Sequence, residues 1–97
     1  MNIQQMKYVV AVANNGSFRE AAKKMFITQP SLSNGIRELE DEIGVSLFIR
    51  TNKGASLTEE GLVFLEHAEK VLTKMEMLEN RYQEVTTSER CSMSSRH

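Results

Sequence analysis

Residues 17–44 read SFREAAKKMFITQPSLSNGIRELEDEIG, two short helical patterns separated by a few residues, and the rest of the chain is organised around them. Ser17-Phe18-Arg19-Glu20 has the form of a capping box, in which the Ser17 hydroxyl accepts from an early helix N–H while the Glu20 carboxylate reaches back to the cap N–H. The helix that starts there would bury Phe18, Ala21, Ala22 and Met25, its two alanines small enough to let another helix approach closely. After Phe26-Ile27, Thr28 is placed to cap a second helix, and Pro30 falls in its first turn, where a missing N–H costs nothing. Leu32, Ile36, Leu39 and Ile43 then recur at steps of four, three and four until Gly44 stops the run. Two short helices joined tightly, the second opening with polar residues, have the layout of a helix-turn-helix. Such pairs occur in many small folds, so the spacing alone leaves the function open.

Upstream, Ile3, Met6, Val10 and Ala13 trace one face of an amphipathic helix that Asn14-Asn15-Gly16 ends. Downstream, Leu47-Phe48-Ile49-Arg50 and Ala55-Ser56-Leu57-Thr58 are β-prone and flank the polar turn Thr51-Asn52-Lys53-Gly54. This predicts a small hairpin with Arg50 and Lys53 at or near its tip, the position of a wing beside a helix-turn-helix. From Thr58 onward no proline interrupts the chain, and Phe64, Ala68, Val71, Met75, Leu78, Tyr82 and Val85 alternate steps of four and three. That is a heptad seam. A helix over 58–85 would be ~42 Å long at 1.5 Å per residue, more than the preceding unit needs, so its apolar face calls for a partner. The last stretch, residues 86–97, has no period, is rich in serine and is expected to be disordered.

With 97 residues there is room for one small domain. At 40% hydrophobic and 26% charged the composition is globular; no apolar run could span a bilayer and the N-terminus has no secretory pattern, so a cytoplasmic protein is expected. The single cysteine, Cys91, cannot form an internal disulfide, and His67 and His97 are far apart, so no metal site is expected. No nucleophile with a base, no carboxylate pair and no phosphate loop can be found, and an enzyme is not expected.

The formal net charge of −1 argues at first against nucleic acid. Its distribution reverses that reading: residues 1–58 carry +2 and residues 59–97 carry −3, and four of the five acids in the front part are clustered within 38–42. On a helical wheel the face opposite Leu32 and Ile36 carries Pro30, Ser33, Asn34 and Arg37, with Gln29 and Ser31 flanking the first turn. Such side chains suit base edges and phosphates in a major groove. Glu38, Glu40, Asp41 and Glu42 would be repelled there, so the N-terminal half of the helix is the end that would enter. The same face is equally a solvated helix surface, and Arg50 and Lys53 are equally solvated hairpin charges. A protein-interaction module built on the heptad helix is the alternative reading, and salt-sensitive DNA binding separates the two.

The pattern Phe18-x-x-Ala21-Ala22, then Thr28-Gln29-Pro30-Ser31-Leu32-Ser33-x-x-Ile36-Arg37-x-Leu39-Glu40-x-Glu42-Ile43-Gly44-Val45-x-Leu47-Phe48-x-Arg50-Thr51, then Lys53-Gly54 and Leu57-Thr58-x-x-Gly61, resembles the N-terminal DNA-binding region of LysR-type transcriptional regulators over roughly residues 1–66. The resemblance implies a mainly α fold, a winged helix-turn-helix (three-helix unit plus small β-hairpin wing) followed by a long dimerising linker helix. The domain would span 1–58, with the helix-turn-helix itself at about 18–37, the linker helix 59–85 and the tail 86–97. It implies that Gln29, Pro30, Ser33 and Asn34 face the major groove and that Arg50 and Lys53 touch backbone or minor groove. Thr28, Ser31, Arg37 and Thr51 complete the expected DNA-binding set.

Two positions depart from the family pattern. Asn34 stands where Arg or Lys is common, which points to base reading rather than a phosphate contact. Gly35 stands where Ala or Gln is usual, and glycine inside a helix costs about 1 kcal/mol relative to Ala, so a looser recognition helix is expected. The implied partners are double-stranded DNA with an inverted-repeat operator and a second copy through the long helix, with a tetramer possible for a full-length protein. The family's effector-sensing domain is missing from this sequence, which reads as a DNA-binding fragment; no cofactor is expected in it, and a small-molecule effector only for a full-length protein.

Overall fold

The computed structural model describes residues 1–88, with side chains placed through Tyr82. Its elements are α1 (Ile3–Asn15), α2 (Phe18–Met25), α3 (Gln29–Ile43), β1 (Phe48–Thr51), β2 (Gly54–Leu57) and α4 (Glu59–Ser88). Helices α1, α2 and α3 pack on one another, the hairpin closes against α1, and α4 runs back along α1 and β2. The described chain measures 53 × 25 × 21 Å, the long dimension matching a 30-residue helix of ~45 Å.

Each short helix ends where a local signal stops it. Asn2 caps α1, accepting from the Gln5 N–H at 2.8 Å while the Gln5 side chain accepts from the Asn2 N–H at 3.1 Å, a complete capping box. The expected box at Ser17 forms by half: the Ser17 hydroxyl accepts from the Glu20 N–H at 2.9 Å, but the Glu20 carboxylate turns to Lys23. Thr28 caps α3 and Pro30 lies in its first turn, as the sequence predicts. Gly16 and Gly44 close α1 and α3 in the left-handed conformation. The end of α2 does the same with Phe26.

The core is Val9, Val12, Phe18, Ala21, Ala22, Leu32, Ile36, Leu39, Leu47 and Phe48. The face of α1 expected inside, Ile3, Met6, Val10 and Ala13, is only half buried; Gln5, Val9 and Val12 are the buried residues. The reason is that α1 lies between two neighbours. One side of it meets α2 and α3, while Met6 and Val10 turn toward α4. Gln5 is buried because its amide donates to the Gly35 carbonyl at 3.1 Å, tying α1 to the middle of α3. Gly35 is not a loose point. A Cβ there would lie 2.6 Å from the Tyr8 ring, so the missing side chain is what lets α1 press against α3.

The hairpin is tighter than its sequence suggests. Phe48 pairs with Leu57 and Thr51 with Gly54, leaving Asn52-Lys53 as the turn. It is fixed at both ends of the domain: the Ala55 N–H donates to the Gly16 carbonyl at 2.9 Å, and Glu40 accepts from the Leu47 and Phe48 N–H groups at 2.7 and 3.4 Å. Helix α4 continues through Ser88, three residues past the expected end, since Thr86-Thr87-Ser88 contains no breaker; residues 89–97 lie outside those described.

Candidate nucleic-acid interface

Helix α3 is buried along Leu32, Ile36 and Leu39, so its opposite side is free. Thr28, Gln29, Pro30, Ser31, Asn34 and Arg37 are all exposed. Ser33 is not: it is 8% exposed, because it lies one turn before Ile36 and shares that residue's inward side. Its expected place on the outward face is therefore corrected. Thr28 and Ser31 are exposed but engaged with one another, the Thr28 hydroxyl donating to Ser31 Oγ at 2.9 Å while accepting from the Ser31 N–H. Asn34 accepts from the Arg37 guanidinium at 3.3 Å, which orients two polar side chains on the same face.

The hairpin stands beside the start of this helix. A cleft of about 360 Å³ is lined by Ser17, Phe18, Arg19, Gln29, Arg50, Thr51, Asn52, Lys53 and Gly54. It brings Gln29 together with Arg50, Thr51 and Lys53, four of the expected binding residues, while Asn34 and Arg37 continue the surface along α3. Three cations line the cleft and no carboxylate does. Arg19, in the first turn of α2, was not among the expected site residues. Its place became visible only once the bond from Ala55 to Gly16 set the hairpin beside α2. Among the described residues no ion pair involves Arg19, Arg50 or Lys53. Instead the Arg50 guanidinium lies over the Phe18 ring, 3.9 Å from its centroid. The acidic end of α3 serves the fold, Glu40 holding the start of the hairpin and Glu42 the N-terminal ammonium.

The expected dimerisation seam divides in two. Phe64 packs against the core, Ala68 is 3% exposed and Met75 is half buried over α1, so these three contact their own chain. The inward stripe of α4 is Gly61, Phe64, Leu65, Ala68, Leu72 and Met75, which takes in three residues of the heptad seam and adds Gly61, Leu65 and Leu72. Val71, Leu78 and Tyr82 remain exposed, joined by Leu62, Val63 and Met77, which heptad spacing missed. Val85 lies in α4, but its side chain is outside those described. A groove of about 770 Å³ between α4, α1 and the end of α3 is lined by apolar residues including Met6, Val45, Val63 and Val71. Among the described residues no helix is long and apolar enough to cross a membrane.

Residues 3–62 match the family model described as bacterial regulatory helix-turn-helix protein, lysR family. The chain is similar to the HTH-type transcriptional regulator TfdT of Cupriavidus pinatubonensis, 44% identical over 89 residues that make up 92% of this chain and 39% of that one. It is also similar to the DNA-binding transcriptional dual regulator OxyR of Escherichia coli, 41% identical over 78 residues, 80% of this chain and 26% of the relative. Among solved structures, the BenM_DBD/catB site 1 DNA complex superposes with a TM-score of 0.84 at 34% identity, covering 89% of this chain and 97% of that one. The CbnR_DBD-DNA complex does so at 0.81 and 34% identity, covering 89% and 99%. The chain thus spans well under half the length of these curated relatives and nearly all of the isolated DNA-binding domains.

Proposed function

The chain belongs to the lysR family of bacterial regulatory helix-turn-helix proteins, and from that premise we propose that it reads the base sequence of double-stranded DNA as a homodimer. It is a regulator's DNA-binding domain and not an enzyme. The exposed start of α3 enters the major groove, where Gln29 and Asn34 have the donor and acceptor pairs that suit adenine edges and Arg37 reaches guanine or phosphate. Arg50, Thr51, Lys53 and Arg19 hold the adjoining backbone or minor groove and fix the register in which α3 is presented. Thr28 and Ser31 shape the first turn through their mutual hydrogen bond, with Pro30 between them.

The observation that carries this reading is the carboxylate-free cleft that joins Gln29 of α3 to the three cations beside it. A protein-interaction module built on α4 has no need of that arrangement. The exposed apolar stripe of α4 supplies the second copy, and two copies read an inverted repeat whose half-sites are one or more helical turns apart. Higher assembly, an effector and their coupling belong to a longer protein. No cofactor is assigned to this chain, and the compartment is the cytoplasm, where bacterial DNA lies.

The test is selection of bound duplexes from a random pool by the 97-residue chain, followed by titration of the winner across salt concentrations. Enrichment of a two-fold symmetric site with salt-dependent affinity is the expected outcome. A pool that stays random after repeated rounds overturns the reading.

A further inference from the structure

The neighbours of Arg50 give it a definite place without neutralising it. In β1, Phe48 and Arg50 are two residues apart and so project to the same side of the strand. Both meet Phe18 of α2. The Phe48 ring packs against the Phe18 ring at 5.6 Å and 73°, edge to face, while the Arg50 guanidinium covers a face of that same ring at 3.9 Å. Phe18 is 6% exposed and belongs to the core, so it is a fixed object, whereas Arg50 is exposed.

A wing arginine can be held in place by a carboxylate or by a ring. A carboxylate would cancel its charge and occupy its donors. A ring touches only the flat face of the guanidinium and leaves the in-plane N–H groups free to reach an anion. No ion pair among the described residues involves Arg50. We infer that Phe18 is a positioning residue for DNA binding: its ring holds the Arg50 guanidinium in the cleft, oriented and fully charged, before DNA arrives. This deepens the reading of the wing as a DNA contact and rests on it. The gain is the ordering of a long side chain ahead of binding rather than during it.

The experiment measures binding of the full chain to a fluorescein-labelled duplex of mixed sequence, since a phosphate contact does not require the operator. Phe18→Leu keeps an apolar side chain without a π face and should weaken binding about two- to fivefold per wing, the range of an exposed to partly exposed cation–π contact, and so about five- to thirtyfold for a dimer with both wings on DNA. Phe18→Tyr keeps the face and should restore it. In the Arg50→Ala background, Phe18→Leu should change binding no further. Equal loss in both backgrounds would mean that Phe18 acts only through the fold and overturns the positioning role.

A second measurement needs neither DNA nor a leucine variant that folds. In the free protein the Arg50 δ-methylene protons should be shifted upfield by the Phe18 ring current, and unshifted resonances overturn the inference. If Arg50→Ala binds the duplex as well as the parent chain while the upfield shift is present, the stacking stands and the wing contact itself is what fails.

Discussion

Phe26 goes against two local preferences at once. Its φ of 60° is the left-handed value that a helix end usually gives to glycine or asparagine, and its side chain is 94% exposed. The backbone around it is a regular helix stop, with the Phe26 N–H donating to the Lys23 carbonyl and the Ile27 N–H to the Ala22 carbonyl at 3.2 and 3.1 Å. The conformation is thus imposed by the turn between α2 and α3, and the ring gains no burial from it. Phe26→Asn should raise stability by about 1 kcal/mol, since an L-residue in this region is strained by roughly that much and asparagine tolerates it better. A urea midpoint that rises with an unchanged slope checks this; a fall would mean that the ring has a contact in the folded chain. For DNA reading, residue-level exposure separates two side chains that the sequence treated alike. Gln29→Ala should weaken binding by about 1 to 3 kcal/mol at the preferred site and relax base preference. Ser33→Ala, at an almost buried position, should leave base preference intact. Parallel titrations on the selected site and on single-base variants decide between them.

Which elements form was legible because each is announced locally. Thr28 with Pro30, Gly16, Gly44 and the steps of four and three through Leu32 to Ile43 are all short-range signals, and all of them appear where the sequence puts them. How the elements dock was not legible. Gly35 reads as a weak point in a helix until Tyr8, 27 positions earlier in the chain, is seen against it. In the sequence the acids of α3 mark only the end of the helix that phosphates would repel, yet Glu40 accepts from the backbone N–H groups of Leu47 and Phe48 and so fixes where the hairpin starts. The heptad seam of α4 is divided by the fold, Phe64, Ala68 and Met75 lying against the rest of the chain while Val71, Leu78 and Tyr82 stay exposed, a division that spacing along one helix does not show. Arg19 was missed for the same reason, its place in the cleft resting on the long-range bond from Ala55 to Gly16. At this scale the test is Glu40→Ala. Hydrogen bonds to a charged acceptor contribute about 1.5 to 3 kcal/mol each, and these are only part-buried, so a loss toward the low end of that range is expected in urea unfolding. Because the hairpin start is what loosens, DNA affinity should fall as well. A variant destabilised without any change in affinity would show that the hairpin docks independently of Glu40.

For the molecule as a whole, net charge is a poor predictor of what it binds, because its charges are spread over very different distances. The acids of residues 59–88 are strung along a helix of ~45 Å, whereas exposed charges are screened over about 8 Å at physiological ionic strength. The local field at the cleft is set by Arg19, Arg50 and Lys53. In the proposed dimer every such contact would occur twice, and this can be counted. Each phosphate contact contributes about 0.9 to the slope of log affinity against log salt, so Arg50→Ala in a dimer, where the residue occurs twice, should flatten the slope by about 1.8. Leu78 is 54% exposed on α4, so Leu78→Glu should leave the helical circular dichroism spectrum unchanged while shifting sedimentation from dimer to monomer. Losing the second attachment should weaken operator binding by roughly 10²- to 10⁴-fold. In that monomeric background Arg50→Ala should flatten the salt slope by only about 0.9. A decrement of about 0.9 already in the parent chain would mean that one wing, not two, touches DNA, and the symmetric arrangement would have to be abandoned even with the dimer intact.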